Sequence, residues 1–459
     1  MFPLPPTGTI YFLGIGGIGM SALARYFLSQ GWRVSGYDKT PTSLTRTLEQ
    51  EGMEIHYTED ITRIPDHVDL VVYTPAVPTG HAEYRHFIGQ NTPVLKRAQL
   101  LGIISQGYKT LAIAGTHGKT TTSTMAAHLL YQSGTGCQAF LGGISKNYES
   151  NLLLSAGSEY LVAEADEFDR SFLFLHPAIA VITSVDADHL DIYGDHQSLL
   201  ESFRQFTGNL VPNGILLLKK GLPLAVPSQG QFTCYHYSLE EKADFYADSL
   251  SIIDGLYRFD FHYPGGIMKE MVLGLPGHYN VENAVAALAV AWLCGAKEKE
   301  LGSALRSFSG VRRRFDIRIK RDDLVYIDDY AHHPAELTAS ITAARNLYKG
   351  RRITGIFQPH LFTRTRDFAD EFARSLELLD EIILLPIYPA REIPIPGVTS
   401  EMLLGKIHKA DKKLLLMADL PDMLDPTGLE VLMTLGAGDI DTLAEPIESY
   451  LTRNKSVKP

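Results

Sequence analysis

The stretch Gly115-Thr116-His117-Gly118-Lys119-Thr120-Thr121-Thr122 holds the residues with the clearest chemical purpose in this chain. It follows a short apolar run, Leu111-Ala112-Ile113-Ala114, and precedes a segment with Met125, Leu129 and Leu130 at helical spacing. A strand that turns on glycines into a helix aims backbone N–H groups, the positive end of the helix dipole and a lysine ammonium at one point, which suits nucleotide phosphates. Thr120 would offer its hydroxyl to Mg²⁺. Ile113 stands where the full G-x-x-x-x-G-K-[ST] pattern has its first glycine, so the loop is an abbreviated form.

Carboxylates and histidines gather at other strand ends. The run from Tyr160 ends in Glu164, Asp166, Glu167 and Asp169; the run Ala178 to Thr183 ends in Asp186, Asp188, His189 and Asp191. In a parallel sheet these ends share an edge with the Lys119 loop. Mg²⁺ prefers hard oxygen ligands and a neutral imidazole can complete its octahedron, so Glu164 and His189 join Thr120 as candidate metal ligands. Any one of these acids could instead cap a helix or sit in a solvated loop. Asn280 and Asn283, at i, i+3 on one helical face, could read an adenine edge or cap that helix.

A second glycine-rich turn lies near the start. Thr9 to Leu13 is a buried strand running into Gly14-Ile15-Gly16-Gly17-Ile18-Gly19-Met20-Ser21, and a strand Val34 to Asp38 ends in an acid about 20 residues beyond the glycines. Glycines allow a pyrophosphate to approach closely and Asp38 could accept from a ribose hydroxyl, for NAD or for any other nucleotide diphosphate. A strand from Val68 to Tyr73 delivers Thr74 to the ligand-binding edge. Two phosphate-type loops imply two nucleotide-bearing ligands in separate domains. Near the other end, Asp328-Asp329-Tyr330-Ala331-His332-His333-Pro334 and Gln358-Pro359-His360 with Arg364 and Arg366 follow two further strands. Surface charge explains a lone arginine but poorly explains such clusters at two parallel strand ends.

The elements that must position these groups alternate throughout as strand and helix, which predicts an α/β protein. At 459 residues the chain exceeds one hydrophobic core, and the pattern breaks near Gly102 to Lys109 and near Gly310 to Asp316. Three domains are expected: 1–105, Rossmann-like; 106–312, a P-loop sheet carrying a β-rich appendage over 221–272; and 313–459, a Rossmann-like open sheet. A net charge of −11 argues against nucleic-acid binding. Cys137, Cys234 and Cys294 have no C-x-x-C spacing, so neither a disulfide framework nor a cysteine zinc site is expected. No run is long enough for a membrane anchor, and a cytoplasmic location fits best. The sequence leaves monomer and homodimer equally open.

Assembled, these motifs resemble the ATP-dependent Mur ligases of peptidoglycan synthesis. The resemblance runs in order through Gly14–Ser21, Ala114–Thr122, Glu164–Glu167, Asp186–His189, Asp328–Pro334, Phe357–His360 and Arg364–Asp367, covering nearly the whole chain. It implies a carboxylate–amine ligase that uses ATP and Mg²⁺ and proceeds through an acyl phosphate. The first-domain loop favours the branch that joins L-alanine to UDP-N-acetylmuramate over the branch that attaches a murein tripeptide. The resemblance places the sugar-nucleotide diphosphate on Gly16, Gly17, Ile18, Gly19, Met20 and Ser21. It places ATP on Gly115 to Thr121, with Asn283 at the adenine and Arg314 and Asp329 as further nucleotide contacts. Tyr330, His332 and the arginines after His360 would receive the amino acid.

Lys119 and Arg314 would offset charge on the transferring phosphoryl. His332 is a candidate to take the amine proton, although a histidine that only positions substrate has the same sequence signature. Two positions depart from the family pattern: Tyr279 stands for a histidine beside the asparagines, and Leu361 for an arginine after His360. The competing class is a nucleotide-dependent oxidoreductase resting on the Gly14 turn and Asp38, and it leaves the Lys119 loop unexplained.

Overall fold

A computed structural model describes residues 5–187, 190–226, 232–253, 255–390, 392–420 and 424–453. The chain packs as two compact units, residues 1–248, 260–271 and 283–308 forming the first and 249–259, 272–282 and 309–459 the second.

The first unit begins with a five-stranded parallel sheet in the spatial order Glu54–His56, Arg33–Tyr37, Thr9–Leu13, Leu70–Tyr73, Val94–Lys96. Helices connect the strands, so alternate side chains enter separate apolar layers: Ile10 and Phe12 on one side, Tyr11 and Leu13 on the other. Both edge strands are three residues long, too short to show a period, and neither was legible in the sequence.

The second sheet has ten strands. Its parallel core runs Phe232–Ser238, Gly214–Lys219, Ile179–Ile182, Lys109–Ala114, Tyr160–Ala165, Gln138–Ser145, with Ser150–Leu153 antiparallel at one edge. Phe245–Ile253, Leu256–Tyr263 and Gly266–Val272 continue the sheet on the other side, so the expected β-rich appendage is an extension of this sheet. The helix His196–Gly208 begins where it does because the Asp195 carboxylate accepts from Ser198 N and caps it there.

The second unit holds a six-stranded sheet ordered Asp316–Lys320, Val325–Asp329, Val431–Leu435, Ile353–Phe357, Glu381–Leu384, Lys412–Leu414. All neighbours are parallel except the first pair. Ile327, Phe357 and Met433 enter one core layer and Tyr326, Ile356 and Leu432 the other, so both faces are covered. The three cysteines are free.

Within the first unit a buried polar network underpins the glycine turn at Gly14. The Asn151 amide donates to Ile18 O at 2.6 Å and to Ser21 Oγ at 2.8 Å, while its carbonyl oxygen accepts from Arg25. Arg25 is in turn held by Glu51 at 2.8 Å. Asn151→Ala would strand several buried polar groups, and the expected cost is about 2–4 kcal/mol. Urea unfolding checks this; a midpoint equal to wild type would show that the network carries no stability.

Candidate functional site

The phosphate loop is built by a central strand and two glycines. Ala114 ends its strand opposite Ala165 and Ile182, so the loops beginning at Gly115, Asp166 and Thr183 emerge at one edge. Gly115 has φ +138°, and a side chain there would overlap Thr183. Gly118 has φ +82°, and a methyl group would lie 2.8 Å from Asn283 Oδ1. Only glycine permits both the left-handed backbone and the close approach. The helix Lys119–Gln132 starts immediately beyond, with Gly118 as its N-cap.

Lys119 is turned inward. Its Nζ donates to Gly115 O at 2.6 Å and to Glu167 Oε1 at 2.9 Å, and lies 2.8 Å from Oε2. Burial works against the ammonium charge, but the carboxylates of Glu167, Asp166 and Glu164 outweigh it and raise the lysine pKa above its ordinary value. Thr116 and His117 are tied to the neighbouring strand end: Ser184 Oγ lies 3.0 Å from Thr116 Oγ1 and accepts from His117 N at 2.7 Å. Thr120 and Thr121 are buried. Asn283 Oδ1 accepts from Thr122 Oγ1 at 3.2 Å, which places Asn283 beside the loop. Asn280 instead donates to Pro276 O at 2.6 Å, securing the turn before its helix.

Glu164 is suited to a cation. Its Oε2 is buried with no hydrogen-bond partner among the described residues, and it presses on Gly142, where any side chain would overlap the carboxylate. An acceptor so placed fits Mg²⁺ held between Glu164 and the start of the Lys119 helix. The other proposed ligand, His189, lies outside the described residues.

The turn at Gly14 leads into the start of the helix Ile18–Ser29. The first-turn N–H groups of Ile18, Gly19 and Met20 have no intrahelical acceptor. Gly16 N donates to Asp38 Oδ2 at 2.8 Å and Thr40 N to Oδ1 at 3.1 Å, so Asp38 straps the turn to its neighbouring strand. Ser21 is fully buried and its hydroxyl donates to Ile18 O, so it props the turn from beneath. Thr74 packs against Gly14, where a methyl group would lie 3.5 Å from Val77.

In the second unit the polar clusters converge at strand ends as the alternating pattern demands. The guanidinium groups of Arg313 and Arg314 lie 5.0 and 4.7 Å from the Tyr330 ring centre. His332 Nδ1 lies 3.0 Å from Tyr330 O, which assigns the proton to that nitrogen and leaves Nε2 the basic one in the neutral ring. His360 meets His332 edge-on at 5.8 Å and stacks with Tyr388 at 5.7 Å. Leu361 has φ +71°, a strained value for a side chain with a Cβ, at the step from His360 into the helix Phe362–Asp367. On that helix Arg364 faces inward, 7% exposed, while Arg366 faces solvent and pairs with Asp367 at 2.7 Å.

Asp329 is buried, and burial pushes its carboxyl up to about 6 against the hydrogen bond from Ser340 and the charge of Arg314. Tyr279 packs against this unit's core; burial and then the Asp329 charge hold its phenol well above the usual range. Sequence reasoning left Asp166, Glu167 and Arg97 without tasks. The run of four acids was the available signal for the first two, and Arg97 had none beyond opening a helix.

Three family models match the chain: "Mur ligase family, catalytic domain" over residues 9–109, "Mur ligase middle domain" over 113–291 and "Mur ligase, glutamate ligase domain" over 313–436. The UDP-N-acetylmuramate–L-alanine ligase of Parabacteroides distasonis is 53% identical over 450 residues, 97% of each chain. That of Phocaeicola vulgatus is 51% identical over 97% of this chain and 98% of its own. A crystal structure of the UDP-N-acetylmuramate–alanine ligase of Thermotoga maritima superposes with a TM-score of 0.83, at 27% identity over 97% of this chain and 99% of its own. A murein peptide ligase of Psychrobacter arcticus shares the fold, with a TM-score of 0.73 at 22% identity over 96% and 98% of the two chains.

Asp329 gives a pH test. Its folded-state pKa is raised to about 6 from 3.8, so the folded state binds the proton more tightly, and stability falls as pH rises through that window. Asp329→Asn cannot ionise and should gain up to about 3 kcal/mol on wild type above pH 6, with no gain below about pH 4. Urea unfolding across that range checks it; a difference independent of pH would refute the assignment.

Proposed function

The chain belongs to the Mur ligase family, and on that premise we propose that it joins the amine of L-alanine to the lactyl carboxylate of UDP-N-acetylmuramate with hydrolysis of ATP to ADP. The observation that carries this reading is the 53% identity, along 97% of both chains, with a ligase named for that reaction. A cytoplasmic location accords with ATP and a sugar nucleotide as substrates. No helix among the described residues is long and apolar enough to cross a membrane.

A carboxylate is a poor acyl donor, and Mg²⁺-bound ATP supplies the phosphoryl group that activates it. The residues of this chain bind, orient and compensate charge. In this reading the N–H groups at Gly118 to Thr121 and the Lys119 ammonium receive the phosphates, with Thr120 and Glu164 on Mg²⁺. Lys119 must exchange part of its grip on Glu167 for the nucleotide. The N–H groups of Ile18, Gly19 and Met20 receive the sugar-nucleotide diphosphate. His332 Nε2 is oriented to accept the amine proton, because its Nδ1 is engaged by Tyr330 O. The division 1–105, 106–312 and 313–459 assigns sugar nucleotide, ATP and amino acid in that order. It is supported by matches that change over near 110 and 313.

The amino-acid carboxylate is assigned to Arg364 rather than Arg366, since Arg364 is buried and Arg366 is neutralised by Asp367. A guanidinium fork holds a carboxylate through two parallel bonds that lysine cannot make. Arg364→Lys should therefore raise the KM for alanine roughly tenfold or more, a cost of about 1.4 kcal/mol or above, and Arg366→Lys should leave it near wild type. The reverse ranking would move the carboxylate site.

The reaction is tested by ADP release from ATP with UDP-N-acetylmuramate, with and without L-alanine, following NADPH absorbance in parallel. Alanine-dependent ADP release is expected. Faster turnover with L-alanyl-γ-D-glutamyl-meso-diaminopimelate than with alanine would overturn the substrate, and nicotinamide turnover would overturn the class. Lys119→Ala should cut ligation by on the order of 10²-fold or more. It should also destabilise the fold by about 3–5 kcal/mol, because Glu167 stays buried without its cation. Lys119→Ala with Glu167→Gln should recover most of the stability and none of the activity; recovered ligation would remove Lys119 from the phosphates.

A further inference from the structure

Three of the four carboxylates that end the strand Tyr160–Ala165 are answered by cations, and two of them, Asp166 and Asp169, have no task in the reading above. Glu167 holds Lys119 at 2.8 Å. Asp169 lies 3.1 Å from Lys96 Nζ and Asp166 3.9 Å from Arg97 Nη2. Lys96 and Arg97 come from the sugar-nucleotide part of the same compact unit, where they end the strand Val94–Lys96 and open the helix Arg97–Ser105.

Arg97 also lies over the glycine turn. A methyl group built on Gly19 would sit 3.0 Å from Arg97 Cδ and 3.0 Å from Nη1. One guanidinium therefore stands between the open helix start at Ile18 and the acid loop beside Lys119. Its pairing with Asp166 is loose, at the outer limit of an ion pair, with the side chains 24% and 37% exposed. The acid loop is itself under backbone strain, with Asp169 and Arg170 at φ +53° and +54°. A weak ion pair on a strained loop is readily exchanged for a better anion.

We propose that Arg97 couples the two nucleotide sites: a diphosphate seated on the Gly16–Met20 turn draws its guanidinium from Asp166, and the uncovered carboxylate strengthens Mg²⁺-nucleotide binding at the neighbouring Glu164 strand end. This rests on the placing of the sugar nucleotide given under the proposed function. A diphosphate offers more charge than one carboxylate and matches the guanidinium fork, so it wins the competition. Asp166 is two residues from Glu164, and its charge already bears on Lys119. Releasing it adds one negative charge beside the cation site. The coupling is reciprocal: bound Mg²⁺-nucleotide occupies Asp166 electrostatically and frees Arg97 for the diphosphate.

The test is equilibrium binding, by titration calorimetry, of Mg²⁺ with a non-hydrolysable ATP analogue, with and without saturating UDP-N-acetylmuramate, and the converse. Wild type should show a tightening of roughly tenfold in both directions. Asp166→Asn leaves Arg97 without its competing carboxylate, so it should bind UDP-N-acetylmuramate alone about as tightly as wild type does with the nucleotide bound, and show no further tightening. Arg97→Ala should lose the tightening and also weaken UDP-N-acetylmuramate roughly tenfold, with Arg97→Lys recovering part of the affinity but less of the coupling.

No tightening in wild type, or tightening that survives in Asp166→Asn or Arg97→Ala, overturns the proposal. Should Arg97→Ala fail to fold, Asp166→Asn decides alone, since an asparagine oxygen can still accept from Phe168 N as the aspartate does. Gly17→Ala separates this inference from the reading beneath it. Its methyl would touch only Gly14 O at 3.5 Å and Met20 from 3.6 Å, so the fold holds while phosphate approach is blocked. Unchanged UDP-N-acetylmuramate binding in Gly17→Ala refutes the placing of the sugar nucleotide, and the inference with it. Weakened binding there with wild-type binding in Arg97→Ala refutes the inference alone.

Discussion

A buried lysine needs a buried anion, and the architecture of the first unit follows from supplying one. Lys119 sits at the head of its helix, where the dipole is already positive and burial penalises charge. Glu167, fully buried and reached from the adjacent parallel strand, offsets both. The pairing requires that the strand before Gly115 and the strand before Asp166 be parallel neighbours in register, Ala114 beside Ala165. The pairing keeps the ammonium charged and fixed at the head of the helix.

The same economy of strand ends recurs at the other sites. Each glycine turn is tied by a neighbouring strand: Ser184 holds the Thr116–His117 segment, and Asp38 holds Gly16. In the second unit Glu336 accepts from both His332 N and His333 N, so one helix-capping carboxylate orders the two histidines. Asp329 is not fully compensated: its burial raises its pKa against the Ser340 hydrogen bond and the Arg314 charge. Such a group weakens the fold at neutral pH, and its retention at a strand end beside Arg314 accords with a binding role.

What the sequence determined by itself is local: which residues meet through consecutive backbone geometry. The Gly115–Thr120 loop, the Gly14 turn, the long apolar strands and the helices with clear caps were legible because glycine, the Lys-Thr pair and hydrophobic period carry their meaning within a dozen residues. Strand alternation also predicted that the acids of Glu164 to Asp169 would share an edge with Lys119. The short strands Glu54–His56, Val94–Lys96, Ser150–Leu153 and Asp316–Lys320 were not legible, since three to five residues hold too little periodicity.

Tertiary structure alone decided how candidates of equal chemistry divide their work. Asp38, Ser21 and Asn280 look like ligand contacts in sequence, and in the fold each also bonds backbone: Asp38 accepts from Gly16 N, Ser21 donates to Ile18 O and Asn280 to Pro276 O. Arg364 and Arg366 are two residues apart and indistinguishable as sequence, but on the helix Phe362–Asp367 one is buried and the other is left to Asp367. Glu167 and Asp166 are adjacent, and only the fold sends one to Lys119 and the other towards Arg97. The physical reason is the same in each case. A polar group's role depends on which partner relieves its desolvation, and partners 48 or 69 positions away in sequence are chosen by packing.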